Sequence, residues 1–403
     1  MSIDKKLFLI EKDEIQSFFI AVAVFISFNP FFLWPFGAYI FIFSAFLLLI
    51  PIIVNNKYSE RQVAIVVFVF LLVIIYKILQ GASVMGATLL AMAVSSFVLI
   101  NSVILEKSFN YLLKILAFFI LFGLLTWFFQ FILNDFSFLL LGYVSSSSIP
   151  NILKSEVGVS YAIYPFSTRI INLSIYEFYR FQSVFDEPGY LGTVSAFLFI
   201  INKCSVKTTV DKIILAGGIF SFSLAFYFLI FIFIAARSLS SFKFLMLTLS
   251  VILFFLVVIN FFDPLIIIFD ELILDRARFS DGRLIGDNRA SDHLDSAFAL
   301  YLSSGDLRTV LFGLGDFEPD GTSSIKQIFV QAGLVGFLLV FLVLSIFSLI
   351  KARRLNWDCL IFVFIFVISM YQRPDVLNIT YIYLLCAGLV ILSRIESNPL
   401  FKK

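Results

Sequence analysis

The sequence predicts an all-α fold: a polytopic integral membrane helical bundle of about twelve transmembrane helices, forming one membrane domain over residues 1–403. Hydrophobic residues make up 61% of the chain and charged residues only 14%, which leaves too little polar surface for a soluble domain. The apolar runs are mostly about 18 to 25 residues long, enough as helices to cross a hydrocarbon layer of about 30 Å. Lipid offers no hydrogen-bonding partners to backbone N–H and C=O groups. We therefore expect helices, which pair these groups internally.

The predicted spans follow the apolar runs along the whole sequence. The N-terminal segment is charged through Glu14 and shows no small-residue cleavage site, so it is expected to stay in the mature protein rather than act as a signal peptide. The spans are predicted at 15–34, 36–54, 63–80, 83–105, 111–133, 189–202, 213–222, 223–236, 243–261, 324–350, 358–372 and 376–393.

Orientation is predicted from the lysines and arginines of the short connections, which favour the cytoplasmic side of a membrane. With the N-terminus in the cytoplasm, residues such as Lys57 and Lys207 fall on that side, and the C-terminus is cytoplasmic too. The run 213–236 has the length of one span, but one span there would carry the later basic loops outside. We therefore predict a break between Ser221 and Ser223 that gives two short helices, with protein or a wet cavity covering the freed backbone groups.

Two long segments lie outside under this topology, residues 134–188 and residues 262–323. The first is rich in aromatic residues and serine, and the second in aspartate and glutamate. The spans carry almost no charge in their interiors, and Lys77 lies near the end of one. Because ion-coupled transport usually needs ionisable groups at mid-membrane depth, this pattern argues against a transporter.

Two carboxylates directly precede the predicted span 189–202, in the sequence RFQSVFDEPGYLG that begins at Arg180. Proline is tolerated in a first helical turn, so Asp186 is predicted to cap this helix and Glu187 to lie at its N-terminus. Arg180 is near enough for its guanidinium to reach back to the carboxylates or to a bound phosphate. The alternative interpretation is an interfacial anchor with a helix cap.

The second long segment contains a predicted amphipathic helix that begins near Asn288, with Asn288 or Asp287 as its cap. Arg289, His293 and Ser296 share one face of it. An arginine and an imidazole on a water-facing side can bind a phosphate and move a proton. The alternative is an interfacial helix in which Arg289 meets lipid headgroups. The apolar stripe of the helix is Ala290, Leu294, Ala297, Phe298 and Tyr301.

Several site classes find no match in the sequence. Cys204, Cys359 and Cys386 have neither CxxC nor ligand-like spacing, and the single His293 excludes a multi-histidine metal site. A glycine-rich phosphate loop, an HExxH motif, a nucleophile elbow and a basic tract suited to nucleic acid are all missing. We therefore predict no metal, no cofactor and no nucleic-acid partner, although paired carboxylates in the acidic segment leave a divalent ion open.

Four motifs occur in order within residues 175–340: Arg180 with VFDEPGYLG, Arg289 with its predicted helix, Gly313-Leu-Gly315, and Gly333-Leu-Val-Gly336. Together they resemble the bacterial O-antigen polymerase and ligase superfamily. The first five spans resemble it only in being hydrophobic. Members of the ligase branch typically carry a His-Asn pair shortly before the last glycine motif, where this chain has Thr322-Ser323. That difference favours the O-antigen polymerase (Wzy) family.

The resemblance implies a membrane glycosyltransferase of the GT-C type in the bacterial inner (plasma) membrane, with 134–188 and 262–323 as periplasmic loops. It implies a polymerase that transfers a growing glycan from undecaprenyl diphosphate to the non-reducing end of another lipid-linked repeat unit, at the periplasmic face. The product would be O-antigen or capsular polysaccharide. A ligase that moves glycan to lipid A core or protein is one alternative, and a lipid-linked oligosaccharide flippase is another.

This chemistry needs cations to stabilise the diphosphate leaving group and an acceptor for the hydroxyl proton. Arginine suits the first role because its planar fork stays charged and binds phosphate oxygens bidentately. The implied partners are the undecaprenyl diphosphate-linked oligosaccharide, membrane lipid and a chain-length regulator protein. The predicted diphosphate ligands are Arg180 and Arg289, with Arg283 and Arg278 in reserve. The predicted catalytic bases are Glu187, Asp186 and His293.

Overall fold

The computed structural model is mainly helical over the residues it describes. These are 3–37, 39–54, 58–133, 142–145, 160–163, 167–172, 177–238, 246, 279–280, 283–284, 291–315, 317, 324–371 and 373–394.

The helices, numbered along these residues, fall into an N-terminal and a C-terminal group. The first group is α1 (Ile3–Ser27), α2 (Tyr39–Val54), α3 (Glu60–Leu79), α4 (Val84–Ser96), α5 (Ser102–Leu133), α6 (Pro188–Ile201), α7 (Thr209–Phe220) and α8 (Leu224–Ser238), with a 3-10 helix at Phe31–Phe36. The second group is α9 (Asp292–Ser303), α10 (Leu307–Phe312), α11 (Ile325–Lys351), α12 (Trp357–Ser369) and α13 (Ile379–Leu392).

Short antiparallel strands lie in the two segments predicted as loops. In the first segment, β1 (Gly142–Ser145) pairs with β2 (Ser160–Ile163), and β3 (Ser167–Asn172) pairs with β4 (Glu177–Ser183). In the second, β5 (Phe279–Ser280) pairs with β6 (Arg283–Leu284). The helical bundle therefore agrees with the predicted all-α class, while these segments add strands that the prediction did not contain.

Three helices of the described chain are long and apolar enough to cross a membrane: α3, α11 and the part Ser102–Phe129 of α5. Helices α2, α4, α6, α8, α12 and α13 are apolar but shorter. Large apolar side chains such as Val67, Phe118 and Leu338 are exposed on the outside of the bundle. Exposed apolar surface of this kind indicates that something other than water contacts this face in the functional protein. The helices indicate a membrane-spanning protein.

Three predicted span boundaries are wrong. Helix α1 ends at Ser27 instead of 34, because Asn29 has a φ of +54° and Pro30 follows it. The predicted spans 83–105 and 111–133 are instead α4, which stops at Ser96, and α5, which already starts at Ser102. The intervening turn is held by the buried Lys351, whose Nζ donates to the carbonyls of Val98 and Ile100 at 3.2 and 2.7 Å. The predicted span 243–261 lies, apart from residue 246, outside the described residues.

The predicted break in 213–236 is present. Helix α7 ends at Phe220, α8 begins at Leu224, and Phe222 between them has a φ of +46°. A side chain on Gly218 of α7 would meet the ring of Phe226 in α8, so the two helices lie against each other as a hairpin. Both pack on α6. The run is therefore two helices rather than one.

The helix termini gather at two ends of the bundle. At one end, Ser27, the last residue of α1, contacts Thr380 in the first turn of α13, with their hydroxyl oxygens 2.8 Å apart. The C-terminal turn of α3 and the start of α6 lie at this same end, which we call the cavity end. At the opposite end, Arg394 after α13 pairs with Glu106 near the start of α5. Between them lies a continuous apolar core that includes Phe197.

Candidate functional site

The segment that leads into α6 is buried and sharply turned at the cavity end. Ser183 has a φ of +53°, and Glu187 is extended, with φ −152° and ψ 151°, directly before Pro188 in the first helical position. Glu187 is therefore the N-cap residue, and its side chain makes no cap hydrogen bond. The prediction that Asp186 caps this helix is wrong, because helical backbone begins one residue too late for Asp186 to occupy that position.

Glu187 forms a buried ion pair with Arg373, from the connection between α12 and α13. The two side chains are only 7% and 13% exposed. The Arg373 guanidinium carbon also lies 4.9 Å from the ring centroid of Tyr190, in the first turn of α6. Arg373 thus contacts both the carboxylate and the aromatic face of the same helix start. Sequence reasoning missed Arg373 because it precedes a proline in an ordinary-looking loop, far along the chain from Glu187.

Arg180 binds the break between α7 and α8. Its Nε donates to the carbonyl oxygen of Ser221 at 3.0 Å, and its Nη2 donates to that of Phe222 at 2.9 Å. These carbonyls lie at the C-terminus of α7, where a cation is favoured by the helix dipole. Helix α6 can lie close to this break because its Gly192 faces Ser223, and a side chain at position 192 would collide with Ser223. The structure places Arg180 against the broken helix, while a role in binding diphosphate stays a prediction.

A cavity of about 630 Å³ opens beside the start of α6, within the range of small-molecule sites. Asp186 and Tyr190 contribute one wall of it. The other walls come from the ends of α1, α2, α4 and α13. The apolar lining residues are Phe28, Phe41, Ile42, Ala45, Met85, Leu89, Leu90, Ala93 and Ile379, and the polar ones besides Asp186 and Tyr190 are Ser27, Asn29, Ser83, Asp375, Asn378 and Thr380.

The cavity has an apolar side and a polar side. Phe41 of α2 and Met85 of α4 are exposed on the outside of the bundle, so they mark its mouth. Thr380 is buried at the back. Among the described lining residues, the charged ones are the carboxylates Asp186 and Asp375. A ligand that fits this shape has an apolar part between α2 and α4 and a hydrogen-bonding part near Asp186.

The second cavity carboxylate, Asp375, is paired with Lys77. Lys77 Nζ lies 2.6 Å from Asp375 Oδ1 and 2.9 Å from Gln80 Oε1. The lysine is largely buried in the last turn of α3, whereas the aspartate is exposed. The prediction that Lys77 lies near the end of its span is confirmed. Its positive charge compensates the negative charge of Asp375 in the cavity wall.

The predicted amphipathic helix is α9, but it begins later than expected. Ser291 caps it by accepting a hydrogen bond from the backbone N–H of Leu294 at 3.0 Å, so the predicted start near Asn288 and the caps Asn288 and Asp287 are wrong. The serine hydroxyl thus pairs with an N–H of the first turn that has no partner within the helix. The apolar stripe is confirmed for the described residues: Leu294, Ala297 and Tyr301 are buried and Phe298 is half-buried.

The other predicted site residues are only partly described. His293 is exposed on α9, and its ring stacks on Phe317 with centroids 4.9 Å apart. It does not line the described cavity. Arg283 lies in β6, with its side chain outside the described part, and Arg278 and Arg289 lie outside the described residues altogether. The structure therefore brings Asp186, Glu187 and Arg180 to one region and leaves the rest as predictions.

Two glycines of the last two motifs, Gly313 and Gly333, make close backbone contacts, whereas Gly336 meets only side chains and Gly315 has nothing within 4 Å of an added Cβ. Gly333 has a φ of +62° and kinks α11, and a Cβ there would lie 2.4 Å from the carbonyl oxygen of Leu311. Leu314 donates its N–H to the Val330 carbonyl at 2.7 Å, beside this kink. Gly336 packs toward Tyr76 of α3. The glycine motifs join the segment after α9 to the first turns of α11.

In the part of the chain that the structure describes, no group of three or more His, Cys, Asp or Glu side chains is placed to hold a metal ion. The three cysteines are free thiols. Comparison of the chain with protein-family models, with curated proteins and with solved structures finds no match.

Proposed function

We propose that this protein is a polymerase of lipid-linked oligosaccharide repeat units, acting in the bacterial inner membrane. It transfers the growing glycan from undecaprenyl diphosphate to the non-reducing end of another lipid-linked unit at the periplasmic face. In this proposal the chain spans the membrane about twelve times, both termini are cytoplasmic, and the cavity end of the bundle faces the periplasm. Residues 134–188 and 262–323 are the periplasmic loops.

The observation that carries the proposal is the cavity beside the start of α6. A glycan on a lipid carrier is polar at one end and apolar at the other, and the cavity has the same division. Its hydroxyl, amide and carboxylate groups, such as Thr380, Asn29 and Asp186, are suited to sugar hydroxyls. Its mouth, at Phe41 and Met85, lies between apolar helices that a lipid tail can follow.

Asp186 is the carboxylate that the cavity offers to an acceptor hydroxyl. The hydroxyl oxygen forms a bond to the anomeric carbon of the donor, the bond from that carbon to the diphosphate oxygen breaks, and the hydroxyl proton passes to the carboxylate. The diphosphate leaves on its lipid carrier with the electron pair of the broken bond. Glu187, the other predicted carboxylate, is engaged by Arg373 and holds the helix start beside Asp186.

The leaving diphosphate needs cations, and the described charged groups of the cavity wall are carboxylates. Like charges in a low-dielectric site repel strongly, so the cavity suits the sugar acceptor better than the diphosphate. The predicted cationic ligands Arg278, Arg283 and Arg289 lie in the second loop. In the proposed arrangement the donor diphosphate meets these arginines while the acceptor sugar occupies the cavity.

The test compares Asp186→Asn with Asp292→Asn, a matched change of an exposed carboxylate on α9. Each variant is expressed in a strain that lacks the chromosomal gene, and purified protein is given lipid-linked repeat units. We expect the first variant to lose at least about 100-fold in polymerisation rate, the usual contribution of a positioned base. The second should retain full activity. Full-length polymer from Asp186→Asn at normal protein level would contradict the role of Asp186.

The same strain separates the alternatives. Deletion of a polymerase leaves single repeat units attached to the cell surface, whereas deletion of a ligase removes all attachment. Deletion of a flippase instead leaves lipid-linked units on the cytoplasmic side. Only the first result agrees with the proposed function.

A further inference from the structure

Helices α9 and α10 present an apolar surface that the bundle does not cover. Leu302 and Leu307, on either side of the turn between the two helices, are 67% and 71% exposed. Leu300, Phe312 and Leu314 are exposed on the same segment. We call these five residues the leucine surface. Each square ångström of such surface left in water costs about 25 cal/mol, so large apolar side chains exposed along one short segment indicate contact with something apolar.

The leucine surface is not the face by which α9 joins the bundle. That face carries Leu294 and Ala297, which pack with Val330 of α11. It is also held by an ion pair in which Lys326 Nζ lies 2.6 Å from Asp295 Oδ1. The exposed leucines therefore remain uncovered after α9 has docked against α11.

The depth of α9 and α10 relative to the membrane follows from α11, one of the helices long enough to span it. After its kink at Gly333, residues 334–351 make a helix of about 27 Å, close to the thickness of the hydrocarbon layer. The first turns of α11 therefore lie at the level of the lipid headgroups. The α10 residue Leu311 meets Gly333, about 12 Å along α11, which places α10 at the boundary between headgroups and hydrocarbon.

Helix α11, which α10 meets at Gly333, carries exposed leucines as well. Leu334 and Leu338, directly after the kink at Gly333, are exposed on that helix. On α9, the polar residues Asp292 and Ser296 are exposed nearer its N-terminus. Asp306 and Arg308, beside Leu307, are exposed as well. Apolar residues mixed with charged ones suit the boundary between headgroups and hydrocarbon.

We propose that the leucine surface inserts into the boundary layer of the lipid bilayer, so that α9 and α10 form an interfacial helical hairpin. This part of the second predicted loop is then a lipid-contacting element rather than a wholly aqueous one. The hairpin anchors the segment from Gly313 to Leu314 against α11 from outside the bundle. The inference depends on α11 as a span and is independent of the proposed enzymatic function.

The test places a nitroxide label at Leu302→Cys or Leu307→Cys and, as a control on the same hairpin, at Ser296→Cys. The five residues that dock α9 on α11 stay unchanged: Leu294, Asp295, Ala297, Lys326 and Val330. The full chain is reconstituted into vesicles of phosphatidylethanolamine and phosphatidylglycerol, and the unmodified chain reports any labelling of Cys204. Collision of the label with oxygen, which concentrates in lipid, is compared with collision with a water-soluble nickel chelate.

We expect oxygen collision to dominate at positions 302 and 307 and nickel collision to dominate at 296, a reversal of the ratio within one helical hairpin. Strong nickel collision at all three positions would show that the surface faces water. Weak collision with both reagents at 302 and 307 would show that protein, such as a second copy of the chain, covers it. Either result overturns the proposal.

A second measurement avoids the label. Tryptophan in Leu307→Trp should be quenched by lipids brominated on their acyl chains, after subtraction of the unmodified chain. Tryptophan in Ser296→Trp should be quenched by aqueous iodide instead. Equal behaviour of the two variants would also overturn the proposal.

Discussion

At the scale of single residues, the start of α6 depends on Arg373. Its guanidinium reaches both the Glu187 carboxylate and the Tyr190 ring, and the pair it forms is largely removed from water. A buried ion pair of this kind adds little net stability compared with apolar residues, but it is costly to break from one side. The pair therefore holds the neighbouring residue Asp186 in its place in the cavity wall.

We predict that Arg373→Met lowers the free energy of unfolding by about 3 kcal/mol or more, because the Glu187 charge is left buried without its partner. The double variant Glu187→Gln with Arg373→Met should recover much of that loss. The measurement is the unfolding midpoint of purified protein in detergent. Arg354→Met, at an exposed arginine, is the matched control and should change little. Equal loss from the control and the test variant would refute the buried-pair interpretation.

At the scale of elements, two interruptions shape the bundle, and each is stabilised by another part of the chain. The hairpin of α7 and α8 leaves carbonyls at Ser221 and Phe222, and Arg180 binds them. The kink in α11 leaves the Val330 carbonyl, and Leu314 binds it. Interrupted helices persist in apolar surroundings only where the freed backbone groups find partners.

The kink at Gly333 leads to a prediction that separates backbone strain from contact. Gly333→Ala should lower the free energy of unfolding by about 3 kcal/mol or more, since a φ of +62° with a ψ of −162° is a conformation that essentially only glycine adopts and the added Cβ would also strike the Leu311 carbonyl. Gly305→Ala has nearly the same φ, +59°, with nothing within 4 Å of the added atom. It should lose only about 1–2 kcal/mol.

The Gly333 comparison is made by unfolding both variants in the same detergent. Limited proteolysis gives a second readout, because an α10 displaced from α11 becomes a better substrate for the protease. If both variants lose the same stability and resist protease equally, the close approach of α10 is not what requires glycine at position 333.

At the scale of the whole molecule, the helix ends divide into a cavity end and an opposite end. The cavity end gathers Lys77, Asp375, Glu187 and Arg373 in pairs. The opposite end gathers the pairs of Arg394 with Glu106 and Arg237 with Asp358. Charges at two ends with an apolar band between them are the arrangement that a bilayer imposes.

We predict that the cavity end faces away from the cytoplasm, because the basic connections belong to the opposite end. In intact cells, Ser296→Cys should react with a membrane-impermeant maleimide. Lys207→Cys and Arg354→Cys should react only after permeabilisation. All three positions are exposed, so burial does not limit labelling. Reaction of Arg354→Cys in intact cells would show that the α7 and α8 hairpin does not cross the membrane twice.

The sequence by itself determined the helical membrane class, most of the apolar segments and the break between Ser221 and Ser223. The class and the apolar segments follow from composition and run length, and the break follows from the placement of basic residues in the short connections. Only the tertiary structure decided that Arg180 binds that break, that Glu187 rather than Asp186 begins α6, and that Arg373 pairs with it. Such contacts join residues far apart in the chain, and no local pattern encodes which charged groups packing will bring together.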